Sequence, residues 1–69
     1  MMEPIKNLSI GDKFTETGLV GVSTKIFTVE KCLDNGLIIA REDASGWGRA
    51  FDENDMIFPC MVITQKKSS

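Results

Sequence analysis

The chain has 69 residues, of which 42% are hydrophobic and 26% are charged, and its formal net charge is −2. This length allows one domain, and a chain of this size buries only about 60% of its unfolded surface, so its stability margin is small. The composition excludes a disordered chain, and the negative charge gives no overall attraction to nucleic acid or anionic lipid, although a local basic face stays open.

The first strand is predicted to begin at Lys13, after a loose lead-in over residues 1–7. Leu8 and Ile10 alternate with polar residues, which indicates that both side chains point inward before a turn. Residues 15–24 carry two glycines and four hydroxyl residues. They predict a long loop or a poorly formed hairpin.

Residues 25–33 give the clearest strand, because β-branched and aromatic residues dominate them. Neither face of this strand is purely apolar. A bend or bulge near Glu30-Lys31 would place Phe27 and Val29 inside, together with Cys32 or Leu33.

Asn35-Gly36 separates this strand from a return strand over residues 37–41. Asn-Gly between two apolar runs is typical of a hairpin with a two-residue type I′ turn, in which both central residues need positive φ. We therefore predict a central hairpin here.

A turn over residues 42–46 leads to a short fourth strand, residues 47–51. Residues 52–56 predict one helical turn with Asp52 as its N-cap. Pro59 ends that segment, and residues 60–64 predict the closing strand.

This order of elements resembles the SH3-like small barrels, in which a short 3₁₀ turn also precedes the closing strand. The resemblance implies an all-β, five-stranded barrel. The resemblance covers about residues 8–65. Together with the chain length, this predicts a single domain, residues 1–69, with its core at about 8–65 and flexible ends at 1–7 and 66–69. It carries almost no information about function, since one fold hosts many functions.

Catalytic chemistry is not supported by the residue types. The chain has no His and no Tyr, and acid–base or nucleophilic mechanisms usually need such groups. Cys32 and Cys60 do not form a C-x-x-C pair and predict two small buried hydrophobes in a reducing compartment. A single bridge between them, or a thiol-based enzyme, stays open. We expect no enzyme activity, no cofactor and no metal site.

The N-terminus lacks the apolar run of a secretory signal, and no stretch approaches about 18 apolar residues. We therefore expect a cytoplasmic protein with no membrane partner.

The best candidate for a binding surface is Trp47 with Arg49. A Trp between glycines at a barrel rim offers a flat anchor beside a guanidinium, and both residue types are common in interface hot spots. Arg41, Lys25 and Phe51 complete the candidate set. The alternative is that Trp47 belongs to the core, with Arg49 extended along it.

These observations favour a non-catalytic module that binds another protein. Chains this short are typical of accessory proteins of bacteria or mobile elements, so we expect a role of that kind. The alternative is a barrel that binds single-stranded nucleic acid by stacking bases on exposed aromatic rings. The net charge disfavours that alternative, and homo-oligomerisation stays open.

Overall fold

A computed structural model describes residues 2–16 and 25–60 of the chain. Within these ranges it contains one antiparallel sheet and one short 3₁₀ helix. The strands lie side by side in the order β1-β6-β2-β3-β4-β5. This confirms the mainly-β class. In chain order the elements are β1 (Glu3–Pro4), the 3₁₀ helix (Ile5–Asn7), β2 (Lys13–Thr15), β3 (Ile26–Cys32), β4 (Leu37–Glu42), β5 (Gly48–Asp52) and β6 (Met56–Pro59).

The sheet is open, and the predicted closed five-stranded barrel is wrong on both counts. Residues 2–16 and 25–60 supply six strands, with β1 and β5 as the two edges. Just beyond β1, the 3₁₀ helix bonds to the turn that follows β5. There the Ile5 N–H donates to Asp55 O at 2.9 Å, and the Lys6 N–H donates to Glu53 O at 3.0 Å. These bonds tie the start of the chain to the β5–β6 turn without a β1–β5 ladder.

The predicted lead-in is part of the fold. Glu3 and Pro4 pair with Ile57 and Met56 of β6, and the Ile5 side chain is fully buried. Ile10 was expected to point inward, but it is 66% exposed in the turn before β2. The preceding apolar residue, Leu8, does pack against the core.

The central hairpin and its bulge are confirmed, but the expectation that the bulge brings Cys32 or Leu33 into the interior is wrong, since both are exposed. The β3–β4 register shifts between Val29 and Lys31. The hairpin loop, however, has three residues and not two, because the Leu33 N–H donates to Leu37 O across it. Gly36 adopts φ 85°, and its N–H closes the turn to Leu33 O at 3.4 Å. A three-residue loop that ends in a left-handed glycine is a common alternative to the type I′ turn.

Three phenylalanines form the centre of the core. The rings of Phe14 and Phe27 stack with centroids 5.4 Å apart, and Phe51 meets each of them edge-on at 5.3 Å. Such offset and edge-to-face pairs add to the stabilisation from apolar burial. Among the described residues, the other buried apolar side chains are Ile5, Val29, Ile38, Ala40 and Ile57.

The segment between β5 and β6 is a tight turn, so the predicted helical turn is wrong. Asp52 does cap it, since its carboxylate accepts the Asn54 N–H at 2.8 Å, and the Asp55 N–H donates to Asp52 O. β6 begins at Met56, inside the segment predicted as a helical turn, and Pro59 belongs to this strand. Two predictions fall mostly on residues outside the described ranges. They are the closing strand at 60–64 and the loop at 15–24.

In the described part of the chain, no helix has the length and apolar character needed to span a bilayer.

Candidate binding surface

Trp47 projects into solvent from the β4–β5 hairpin, and the interpretation of Trp47 as a core residue is wrong. The side chain is 76% exposed. Its backbone is firmly held: the Glu42 N–H donates to Trp47 O at 2.9 Å, and the Gly46 N–H donates back to Glu42 O at 2.8 Å. The Ser45 hydroxyl accepts the Trp47 N–H and donates to the Glu42 carboxylate. The ring is therefore presented by an ordered turn.

We call this region the hairpin end, meaning residues 43–47 with the side chains of Arg41 and Arg49. Arg49 covers the core there. Its guanidinium forms two 2.7 Å hydrogen bonds with the Glu16 carboxylate. It also lies 4.8 Å from the ring centroid of Phe51 and 5.6 Å from that of Phe27. Both distances fall within the range of cation–π attraction. Arg49 thus closes the open end of the aromatic cluster.

Arg41 supports the turn that carries Trp47. Its guanidinium donates to both Glu30 carboxylate oxygens, at 2.6 and 3.0 Å, and to the Gly46 carbonyl oxygen. The hydrogen bond from Arg41 lowers the pKa of Glu30, and the same bond raises the pKa of Arg41. The Arg41 guanidinium is therefore already bonded within the sheet, to Glu30 on β3 and to Gly46 in the β4–β5 turn.

A third ion pair lies on the other side of the turn. The Lys13 ammonium contacts the Asp43 carboxylate at 2.8 Å and the Thr28 hydroxyl at 2.8 Å. Hydrogen bonds from Lys13 and from Thr28 hold the pKa of Asp43 below its ordinary value. Like Arg41 and Arg49, this cation near the hairpin end is already neutralised.

The other two candidate residues, Phe51 and Lys25, differ in exposure. Phe51 is only 4% exposed, so the prediction that its ring is available to a partner is wrong. Lys25 is exposed and precedes β3, whose first residue, Ile26, accepts the Asp43 N–H. Lys25 therefore lies at the same end of the sheet, without an ion pair to another described residue.

No protein-family model, curated protein or solved structure matches this chain. Its function therefore has to be inferred from its own residues.

The prediction from sequence missed the counterions. Glu16 and Glu30 neutralise Arg49 and Arg41, and they turn an apparent basic patch into a balanced surface. Glu30 occupies the β3 bulge, whose position was predicted. Its pairing with Arg41 depends on the β3–β4 register, so a correct hairpin alignment could have revealed it. Glu16 lies 33 positions from Arg49, and no local pattern links them.

Both thiols are free, with Cys32 exposed and Cys60 half-buried. The prediction that both are buried is therefore wrong. Cys60 borders a shallow groove of about 520 Å³. The groove lining contains no aromatic ring, and its one cation, Lys13, is bonded elsewhere. The groove is lined by Glu3, Leu8, Gly11, Asp12, Lys13, Pro59 and Cys60. The hairpin end is therefore the better candidate surface.

Proposed function

We propose that this chain is a non-catalytic protein-interaction module that contacts another protein through Trp47 at the hairpin end. The observation that carries the proposal is the 76% exposure of Trp47 on a hydrogen-bonded turn. A small domain has few large apolar side chains, and it normally needs them for its core. Here three phenylalanines fill the core, while the one tryptophan of the chain stands outside it.

An exposed tryptophan on a hydrogen-bonded turn suits binding, because its backbone is already fixed and its ring has only two rotatable bonds to immobilise. The turn bonds of Glu42, Ser45 and Gly46 already fix the backbone of Trp47. Tryptophan is enriched in hot spots, where its truncation costs about 2 kcal/mol or more. Removal of the Trp47 side chain should therefore weaken partner binding by about 30-fold or more.

The neutralised cations favour a protein partner over single-stranded nucleic acid. A nucleic-acid groove needs cations that are free to contact phosphates. In the described residues, Lys13, Arg41 and Arg49 each have a carboxylate partner. Phosphate binding would have to displace these carboxylates.

The test is affinity capture from host extract with the intact chain, compared between the wild type, Trp47→Ala and Ile10→Ala. Ile10 is a matched control because it is also largely exposed but lies in the turn before β2. We expect at least one protein that Trp47→Ala loses and Ile10→Ala retains. Equal capture by all three would refute the proposal. A labelled 12-nucleotide single strand provides the second arm: salt-sensitive binding that Trp47→Ala abolishes would replace the protein partner with nucleic acid.

A further inference from the structure

β5 is an edge strand, and half of its backbone groups face away from the sheet. The Glu42 N–H donates to Trp47 O, so residues 42 and 47 form a hydrogen-bonded position. Bonded and non-bonded pairs alternate along an antiparallel ladder. The Ala40–Arg49 pair is therefore bonded, and the Arg41–Gly48 and Ile39–Ala50 pairs are not. The N–H and C=O groups of Gly48 and Ala50 consequently point away from β4.

These four groups have no partner among residues 2–16 and 25–60. The only strand that pairs with β5 in these ranges is β4, and no other backbone bond there involves Gly48 or Ala50. Asp52, next in the same series, is already satisfied, since its N–H donates to the Asp55 carboxylate at 3.1 Å. In the described part of the chain, the open edge is thus confined to Gly48–Ala50. Natural proteins usually protect such edges, because an exposed edge is a template for another strand.

The side chains beside this edge leave room for an added strand. Gly48 has no side chain, and a methyl group placed on it would meet nothing within 4 Å. Ala50 is small and exposed. Trp47 stands at one end of the edge. An extended segment can therefore approach the backbone closely and pass beside the Trp47 ring.

The charge around the edge is negative. Asp52 ends β5, and Glu53 and Asp55 follow it in the turn. None of the three has a cation partner in the described part of the chain. The Arg49 charge beside the edge is balanced by Glu16. A partner strand with Lys or Arg at the position opposite Asp52 would place a cation near the Asp52 carboxylate.

We propose that β5 takes up an extended, basic segment of a partner protein as an additional strand, bonded to Gly48 and Ala50. This inference rests on the proposed function, since it specifies how the partner meets the Trp47 surface. Strand addition obtains its affinity from main-chain bonds and its specificity from alternate side chains. A second copy of this chain fits less well. Two antiparallel β5 strands centred on residue 49 would set Arg49 against Arg49, and like charges directly opposite are destabilising.

The probe is an eight-residue peptide of alternating lysine and valine, acetylated and amidated. It is titrated into the intact ¹⁵N-labelled chain, with the amide resonances and the Trp47 fluorescence followed together. We expect the largest shifts at the Gly48 and Ala50 amides, with new protection of both from hydrogen exchange. The matched control peptides carry glutamate in place of lysine, or N-methyl groups at alternate residues. Each should bind at least about tenfold more weakly, because it loses charge complementarity or main-chain bonds.

Ala50→Pro removes one outward donor and leaves the β4–β5 ladder intact, since edge strands accept proline where the N–H faces outward. We expect it to weaken peptide binding about tenfold, whereas Ala50→Val, which keeps the N–H, should bind like the wild type. Equal binding by both variants overturns the inference. If Ala50→Pro does not fold, the N-methylated peptide tests the same main-chain bonds on the unaltered protein, and binding as tight as that of the unmethylated peptide overturns the inference.

The outcomes separate this inference from the proposed function. Trp47-dependent capture of a protein, with no response of the Gly48 and Ala50 amides to the peptide, removes the strand addition and leaves the interaction module. Peptide binding at these amides without any Trp47-dependent capture removes the Trp47 surface instead. Concentration-dependent protection of both amides without peptide would assign the edge to a second copy and overturn the peptide as occupant.

Discussion

Replacement of Arg49 by alanine tests whether this arginine covers the core or awaits a ligand. The guanidinium makes a two-bond ion pair with Glu16 while its side chain is 52% exposed. An exposed pair of good geometry contributes about 0.5 to 1 kcal/mol. The contact with the Phe51 ring at 4.8 Å adds about 0.5 to 1 kcal/mol. Arg49→Ala should therefore lower the free energy of unfolding by about 1.5 kcal/mol.

Thermal unfolding followed by far-ultraviolet circular dichroism measures this loss. In a domain of this size, 1.5 kcal/mol corresponds to a fall in Tm of about 6 to 12 °C. Lys25→Ala is the matched control, because it removes an exposed cation that has no ion pair to another described residue. Its effect should stay within about 0.5 kcal/mol. Arg49→Lys keeps the charge but loses the paired geometry and the ring contact, so it should show more than half of the alanine effect.

A double-mutant cycle with Glu16→Gln separates the ion pair from the ring contact. We expect a coupling energy of about 0.5 to 1 kcal/mol between the two positions, with the remaining loss belonging to the contact with Phe51. An Arg49→Ala chain as stable as Lys25→Ala would refute the structural role. If that chain also failed to bind a partner, the guanidinium would belong to the binding surface itself.

Three further substitutions, one of them with a matched control, test the fold. Ile5→Val should cost about 1 kcal/mol, measured by urea unfolding, because Ile5 is fully buried; an unchanged midpoint would remove Ile5 from the core. Gly36→Ala should lower the free energy of unfolding by about 1 kcal/mol, because Gly36 has φ 85° and alanine is strained there. Gly48→Ala is free of that strain and should be nearly neutral. Equal effects of the two substitutions would contradict the loop geometry. The bond from Lys13 lowers the pKa of Asp43, so the stability it provides is present at neutral pH and is lost as pH falls below about 4. Asp43→Asn should remove about 0.5 kcal/mol at pH 7 and flatten the acid dependence, and an unchanged pH profile would count against the pair.

The features predicted correctly are those that neighbouring residues determine. Alternation around Phe27 and Val29, followed by Asn35-Gly36, is enough to predict the central hairpin. The mixed faces of β3 also indicated the bulge that the structure places between Val29 and Lys31. Each of these depends on residues within about ten positions of one another. The predicted loop length was wrong because a glycine at position 36 suits both the two-residue type I′ turn and the observed three-residue loop.

The features that were missed depend on contacts between distant positions. Glu3 pairs with Ile57, and a two-residue strand has too few residues to show alternation. Ile5 looked like part of a loose lead-in because Pro4 and Asn7, on either side of it, discourage regular structure. Its burial depends on the β5–β6 turn, whose Asp55 carbonyl accepts the Ile5 N–H. The local sequence pattern therefore cannot predict an edge strand of this kind.

The position of Trp47 follows from the volume that the core offers. Phe14, Phe27 and Phe51 come from three different strands and meet at centroid distances of 5.3 to 5.4 Å, which leaves no room for a larger ring between them. The next inward position along β5 after Phe51 is Arg49, and it already closes the cluster. Trp47 lies two residues farther out, beyond this cover. Arg49 therefore occupies the position over the Phe51 ring, and the Trp47 side chain, beyond it, stays 76% exposed.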